Sequence, residues 1–187
     1  MHGPRVGAFL LLMASQATAQ NLTVNGEFDG GLQGWTVAPA GQVVHSELDI
    51  DGIIGSGSAL LTNAEAGQGQ RVYPLTQCVV VMQPGFYRVG VAAFMDSNHA
   101  PGTMVFSYAL KLNSQTCDGS GFAVGGRFLD DAGRWARFER ELQAPLAPAT
   151  FFLQLGIEKA GAGGTLSGHF DAITIEWLPK VFRDGFE

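Results

Sequence analysis

Between Phe86 and Met95 the chain alternates in character. Tyr87, Val89, Val91, Ala93 and Met95 fall on one side of an extended segment, and Phe86, Arg88, Gly90, Ala92 and Phe94 on the other. Successive side chains of a strand point to opposite faces, so the first set predicts a core surface. The second set, with a charge and two small residues, predicts a face open to solvent or ligand. Met104, Phe106, Tyr108, Leu110 and Leu112 alternate in the same way with Thr103, Val105, Ser107, Ala109 and Lys111. So do Phe151, Leu153, Leu155 and Ile157 with Phe152, Gln154, Gly156 and Glu158. Residues 169–175 read as the last strand, and shorter extended pieces are predicted at 24–28, 36–37, 42–46, 70–75 and 78–81. A further strand is expected from Trp135 to Leu142, although Trp135, Phe138 and Leu142 also fit a helix. Pro84-Gly85, Pro145 and Pro148, and the glycine run at 160–164 punctuate these segments.

Composition sharpens this picture. With 26 glycines in 187 residues and only 15% charged residues, the chain suits an all-β domain with many tight connections. Its length suits one domain. Residues 1–19 read as a secretory signal: a basic start ending at Arg5, an apolar run over 6–13, and the small-residue site Ala17-Thr18-Ala19. The apolar run is shorter than the ~20 residues a spanning helix needs, so no membrane insertion is expected. The folded domain is placed at 20–178 and a short tail at 179–187, and the mature protein is expected to be secreted or periplasmic.

The formal charge of −6 becomes one unit more negative when the leader takes Arg5 away. No Lys/Arg cluster suits a nucleic acid or an anionic membrane surface. Cys78 and Cys117 are the two cysteines. In an oxidising compartment they predict a disulfide, whose closure is worth about 4 kcal/mol on the chain-entropy model.

Signals for catalysis are weak. His45, His99 and His169 form no metal-type pair, and no Gly-x-Ser-x-Gly motif occurs. Glu139 and Glu141 share a strand face, an arrangement that any acidic strand offers. The expectation is a protein that is not an enzyme.

The segment Asn21-Leu22-Thr23-Val24-Asn25-Gly26-Glu27-Phe28-Asp29-Gly30-Gly31-Leu32-Gln33-Gly34-Trp35 adds a family likeness. It resembles the opening of carbohydrate-binding modules of the family four/nine type and of family twenty-two. Gly55-Ser56-Gly57-Ser58, Pro84-Gly85-Phe86-Tyr87, Gly133-Arg134-Trp135 and Phe170-Asp171 resemble later motifs of the same modules, in the same order. The resemblance implies a jelly-roll β-sandwich of two antiparallel sheets with a structural calcium. By position, it implies Glu27 as one ligand, Ser56 or Ser58 as a loop contributor and Asp171 as the second carboxylate. Ala172 stands where many relatives carry another Asp, so one ligand is missing.

The resemblance also implies a glycan held on a sheet face by ring stacking and side-chain hydrogen bonds. The expected face joins Arg88 and Phe94, Phe152 and Gln154, and Arg137 and Glu139. It carries no Trp or Tyr; Trp35, Tyr87 and Trp135 are expected in core or edge packing. The function so implied is secreted, non-catalytic binding of a polysaccharide or other extracellular glycan by a monomer. The alternative is a structural or adhesive extracellular domain that has lost sugar binding.

Overall fold

The structure is a computed structural model that describes residues 20–38, 42–64, 71–97, 100–119, 123–130 and 133–179. The leader and the tail beyond Pro179 lie outside the described residues. Among the described residues ten strands follow one another: β1 (Thr36–Val37), β2 (Gln42–Ser46), β3 (Ser58–Asn63), β4 (Arg71–Val81), β5 (Gly85–Met95), β6 (Gly102–Leu112), β7 (Ala123–Leu129), β8 (Trp135–Ala144), β9 (Ala149–Lys159) and β10 (Leu166–Leu178).

They form two five-stranded sheets. Sheet I runs β2-β3-β10-β5-β8 and sheet II runs β1-β4-β9-β6-β7. Every pairing between these strands is antiparallel. This is the expected all-β sandwich.

The alternation explains why the sheets stack. From sheet I, Tyr87, Val89, Val91, Ala93 and Met95 turn inward beside Phe170, Ile173 and Ile175 of β10. From sheet II, Met104, Phe106, Tyr108 and Leu110 meet them, with Phe151, Leu153, Leu155 and Ile157 of β9. Each fully buried side chain of this size is worth about 1.5–3 kcal/mol of transfer free energy. The stretch 135–144 is strand β8, paired with β5 along its length.

The opening of the chain differs from expectation. Residues 24–28 form turns rather than a strand, with Asn25 and Phe28 both at φ 51°. Asn side chains set this path. The Asn25 amide donates to the carbonyls of Gly31 and Gln33, and Trp35 Nε1 donates to the Asn25 carbonyl at 3.1 Å. Asn21 bonds the backbone of Ile173 and Ile175. The segment thereby docks on β10, and the buried rings of Phe28 and Trp35 meet at 5.4 Å.

The predicted disulfide is present. Cys78 of β4 joins Cys117, which follows β6, with 5.9 Å between their Cα atoms. β9 lies between those two strands, so the link crosses it on the outer side of sheet II.

Candidate functional site

The six residues expected on one glycan face lie on two. Arg88 and Phe94 of β5 share the outer face of sheet I with Arg137 and Glu139 of β8, through the pairs Ala92↔Arg137 and Gly90↔Glu139. Phe152 and Gln154 of β9 sit on the outer face of sheet II, across the sandwich. The physical reason is topological. Alternation tells which residues of a strand point away from the core, but not which sheet the strand joins.

Sheet I presents a charged outer face. Arg88 is ringed by its own acids: Glu141 at 3.4 Å, Glu176 at 3.8 Å and Glu139 at 3.9 Å. Arg137 pairs with Asp51 at 3.4 Å. Gly90 lies at the floor of a cleft of about 210 Å³ walled by Glu27, Asp51, Arg137, Glu139 and Glu176. Farther along the same face Trp135 and Phe94 stack at 5.5 Å, and Phe94 meets the His169 ring at 6.0 Å. Trp135 therefore packs on the edge strand β8, as expected of core or edge packing, and it does so on this outer face, to which the expected glycan set assigned no Trp. Trp35 and Tyr87 are core residues, as expected.

Of the residues expected at calcium, Glu27 and Asp171 come into electrostatic contact. Asp171 is fully buried, and its carboxylate accepts the backbone N–H groups of Ile50 at 3.0 Å and Ala172 at 2.7 Å. Burial pushes its carboxyl up from 3.8 to about 7, with the charges of Glu27 and Asp49 adding to the rise and the two hydrogen bonds opposing it. Burial also raises Glu27, helped by Asp51, Asp29 and Asp49.

Ser56 donates to the Glu27 carbonyl at 3.2 Å. Ser58 is turned elsewhere, 2.9 Å from Nδ1 of His169, an imidazole that burial holds below the usual histidine range. Among the described residues no three acid, His or Cys side chains converge on one point. The set offers one buried carboxyl, Asp171, and one half-buried, Glu27, and falls short of the six to eight oxygens that calcium takes.

The outer face of sheet II has a different chemistry, and its central ring was not foreseen. Gln154 is flanked in register by Thr76 of β4 and Ser107 of β6. All three are half-buried, and among the described residues none of their side chains makes a hydrogen bond. Phe152 lies two residues away on the same face. On the other side of Gln154, Tyr73 covers Gly156 so closely that a Cβ there would meet the ring at 2.5 Å. Arg71 closes this end, bonded to Glu158 through Nε at 2.6 Å and to the Tyr73 hydroxyl at 3.4 Å. A register shift between Val72 and Leu75 places Tyr73 on this face. The signal for it was Pro74, since proline inside a strand marks an edge or a bulge.

Neither a protein-family model nor a curated protein matches the sequence. Solved structures do match. A family 16 carbohydrate-binding module aligns at TM-score 0.55 and 17% identity, over 83% of this chain and 99% of its own. A CBM61 module in complex with β-1,4-galactotriose aligns at 0.56 and 16% identity, over 85% and 99%. The CBM22-2 xylan-binding domain from Paenibacillus barcinonensis aligns at 0.51 and 14% identity, over 81% and 96%. The chain has the jelly-roll fold of carbohydrate-binding modules. Several module families share that architecture, so the likeness does not select the four/nine type.

On this module fold the two outer faces suit different partners. Sheet I spends its charges on one another. Sheet II offers aromatic rings, a free amide and two free hydroxyls on a floor of small residues, Gly156 and Ala109. Neutral donors and acceptors beside a flat ring are what an uncharged polyhydroxylated ligand needs.

Proposed function

We propose that this protein is a secreted, non-catalytic glycan-binding module whose platform is the outer face of sheet II. Sugar rings stack on Tyr73 and Phe152, and sugar hydroxyls bond Gln154, Ser107 and Thr76. The observation that carries this reading is the row of half-buried, unbonded polar side chains set between two aromatic rings. Rigid strands hold the row, and the Cys78–Cys117 bridge pins one end, so little ordering cost attends binding. A disulfide also accords with an exported protein.

The solved modules with β-1,4-galactotriose and with xylan specificity support a polysaccharide partner. Calcium enters the proposal as a stabiliser alone. Glu27 and Asp171 would hold it, away from the outer face of sheet II, where it would relieve the repulsion between buried Asp171 and half-buried Glu27.

Affinity electrophoresis of the mature protein through gels containing soluble galactan or xylan tests the proposal. Retardation by one of them is the expected result. Migration unchanged in both gels, followed by no heat of binding at ~1 mM of the corresponding oligosaccharides, an affinity of only about −4 kcal/mol, would favour the structural or adhesive reading.

A further inference from the structure

The last strand of a sheet has outer backbone groups free to pair with another chain, unless charge, proline or shortness guards it. Among the described residues the two sheets end on four strands: β2 and β8 in sheet I, β1 and β7 in sheet II. Three of these are guarded. β8 carries Arg137, Glu139, Arg140 and Glu141, β7 carries the exposed Arg127, and β1 is only 2 residues long. β2 has none of these devices. Its sequence, Gln42-Val43-Val44-His45-Ser46, contains no proline and no Asp, Glu, Lys or Arg. Among the described residues no backbone hydrogen bond reaches its outer edge. Val43 packs on the core, and Val44 faces solvent with 54% of its surface exposed.

The apolar surface continues past the strand. Leu48, Ile53 and Ile54 are exposed, and with His45 of β2 they line one cleft of about 490 Å³. The loop that displays them is braced. Asp49 accepts the backbone N–H groups of Asp51 and Ile53, and Asp171 accepts that of Ile50. A loop so held presents its isoleucines at little ordering cost.

The symmetry of the strand selects the partner. Val44 is the middle of 5 residues, so β2 paired antiparallel with β2 of a second copy closes on a two-fold axis through Val44. Gln42 then falls opposite Ser46 of the partner subunit and Val43 opposite His45 of the partner subunit, with no charge facing a charge. Glu47, the first acid after the strand, would sit against its own copy in a parallel pair. In the antiparallel pair the two copies of Glu47 lie about six residues, roughly 20 Å, apart, well beyond a screening length of ~8–10 Å.

We propose that the protein forms a two-fold dimer by pairing β2 edge to edge, which continues sheet I through both subunits. The axis of such a pair stands perpendicular to the sheet. Both copies of sheet II therefore lie on the same side, and their outer faces look the same way. On the reading of that face as the glycan platform, the dimer is bivalent and holds a long polysaccharide at two points.

Cysteine cross-linking tests the register. Directly opposed Cα atoms of an antiparallel pair are about 4.5–5.5 Å apart, within disulfide reach. Val44→Cys should therefore cross-link to its own copy under mild oxidation. Gln42→Cys, at a position also exposed, should not, because its copy lies about 13 Å along the pair. Sedimentation equilibrium of the wild-type chain from about 10 μM to about 1 mM should show the mass rising toward twice that of one chain, as for a small interface. Val44→Lys puts two ammonium groups at the axis and should keep the chain monomeric with its thermal melt unchanged. Met82→Lys, at another exposed apolar residue, should leave the dimer intact. Val44→Lys should also lower apparent affinity for polysaccharide about tenfold or more while leaving oligosaccharide affinity unchanged. The proposal is overturned if the wild type keeps the mass of one chain throughout, which would leave the edge to a strand of another protein. It is equally overturned if both cysteine variants cross-link alike, or if Val44→Lys still dimerises. A cross-linked dimer that binds no glycan would remove the platform and leave the pairing standing.

Discussion

Replacing Asp171 with Asn should change the direction in which stability responds to pH. The carboxyl is fully buried and pushed up to about 7 from an ordinary 3.8. Between those values the folded protein keeps a proton that the unfolded chain releases. Stability from this group is therefore fully present below about pH 4 and is lost as pH rises to about 7. A tenfold change in proton affinity is worth about 1.4 kcal/mol, so the full window spans about 4 kcal/mol, of which about 2 falls between pH 5 and pH 7.

Asn cannot titrate, and it offers one acceptor oxygen where the carboxyl offers two to Ile50 and Ala172. At pH 5 the variant should lie about 1–3 kcal/mol below wild type, the cost of one unsatisfied buried donor. At pH 8 the gap should close or reverse. Urea unfolding of both proteins at pH 5, 6, 7 and 8, with EDTA present, measures the difference and cancels the titrations they share. A constant gap across that range would refute the reasoning, as would a wild type that gains stability relative to the variant with rising pH.

Four further outcomes are expected. Cys78→Ser with Cys117→Ser should cost about 4 kcal/mol in urea unfolding, from the loop of 39 residues that the bridge closes; a loss under about 1 kcal/mol would contradict this. Gly156→Ala brings a Cβ to 2.5 Å from the Tyr73 ring and should cost about 1–3 kcal/mol as the ring is displaced, with neutral-glycan affinity falling alongside. Arg88→Ala should leave glycan affinity unchanged in calorimetry and alter stability by less than about 1 kcal/mol, since Arg88 serves exposed acids of its own sheet. Calcium at about ten times its dissociation constant should raise stability by roughly 1.4 kcal/mol at pH 8 and by less at pH 5, where Asp171 is protonated; an equal rise at both would place the ion elsewhere.

How far the fold and the site were legible depends on the length scale of each signal. Tyr87 to Met95 and Phe151 to Ile157 announce strand, core face and outer face within a dozen residues, because a period of two is a local property. The Asn21 to Trp35 segment was legible as a motif but not as a shape: its Asn side chains bend residues 24–28 into turns that no hydrophobic pattern marks. Arg88 and Gln154 both read correctly as outward residues. Their assignment to different sheets is a matter of long-range pairing, which alternation does not encode. Tyr73 was hidden because the bulge beside Pro74 breaks the period that would have displayed it. Trp135 was visible as an aromatic, but its place beside Phe94 comes from cross-strand register. The proximity of Glu27 to Asp171 was suggested by family likeness, whereas the turning of Ser58 toward His169 depends on packing around one ring.

The most direct test of the account is a map of the glycan on the protein by NMR chemical-shift perturbation, using β-1,4-galactotriose and xylohexaose as probes. The account predicts that at least one probe shifts the backbone amides of Tyr73, Thr76, Ser107, Phe152 and Gln154, and that Gln154→Ala abolishes those shifts. Shifts confined to Arg88, Phe94, Arg137 and Glu139 would contradict it by placing the sugar on the outer face of sheet I.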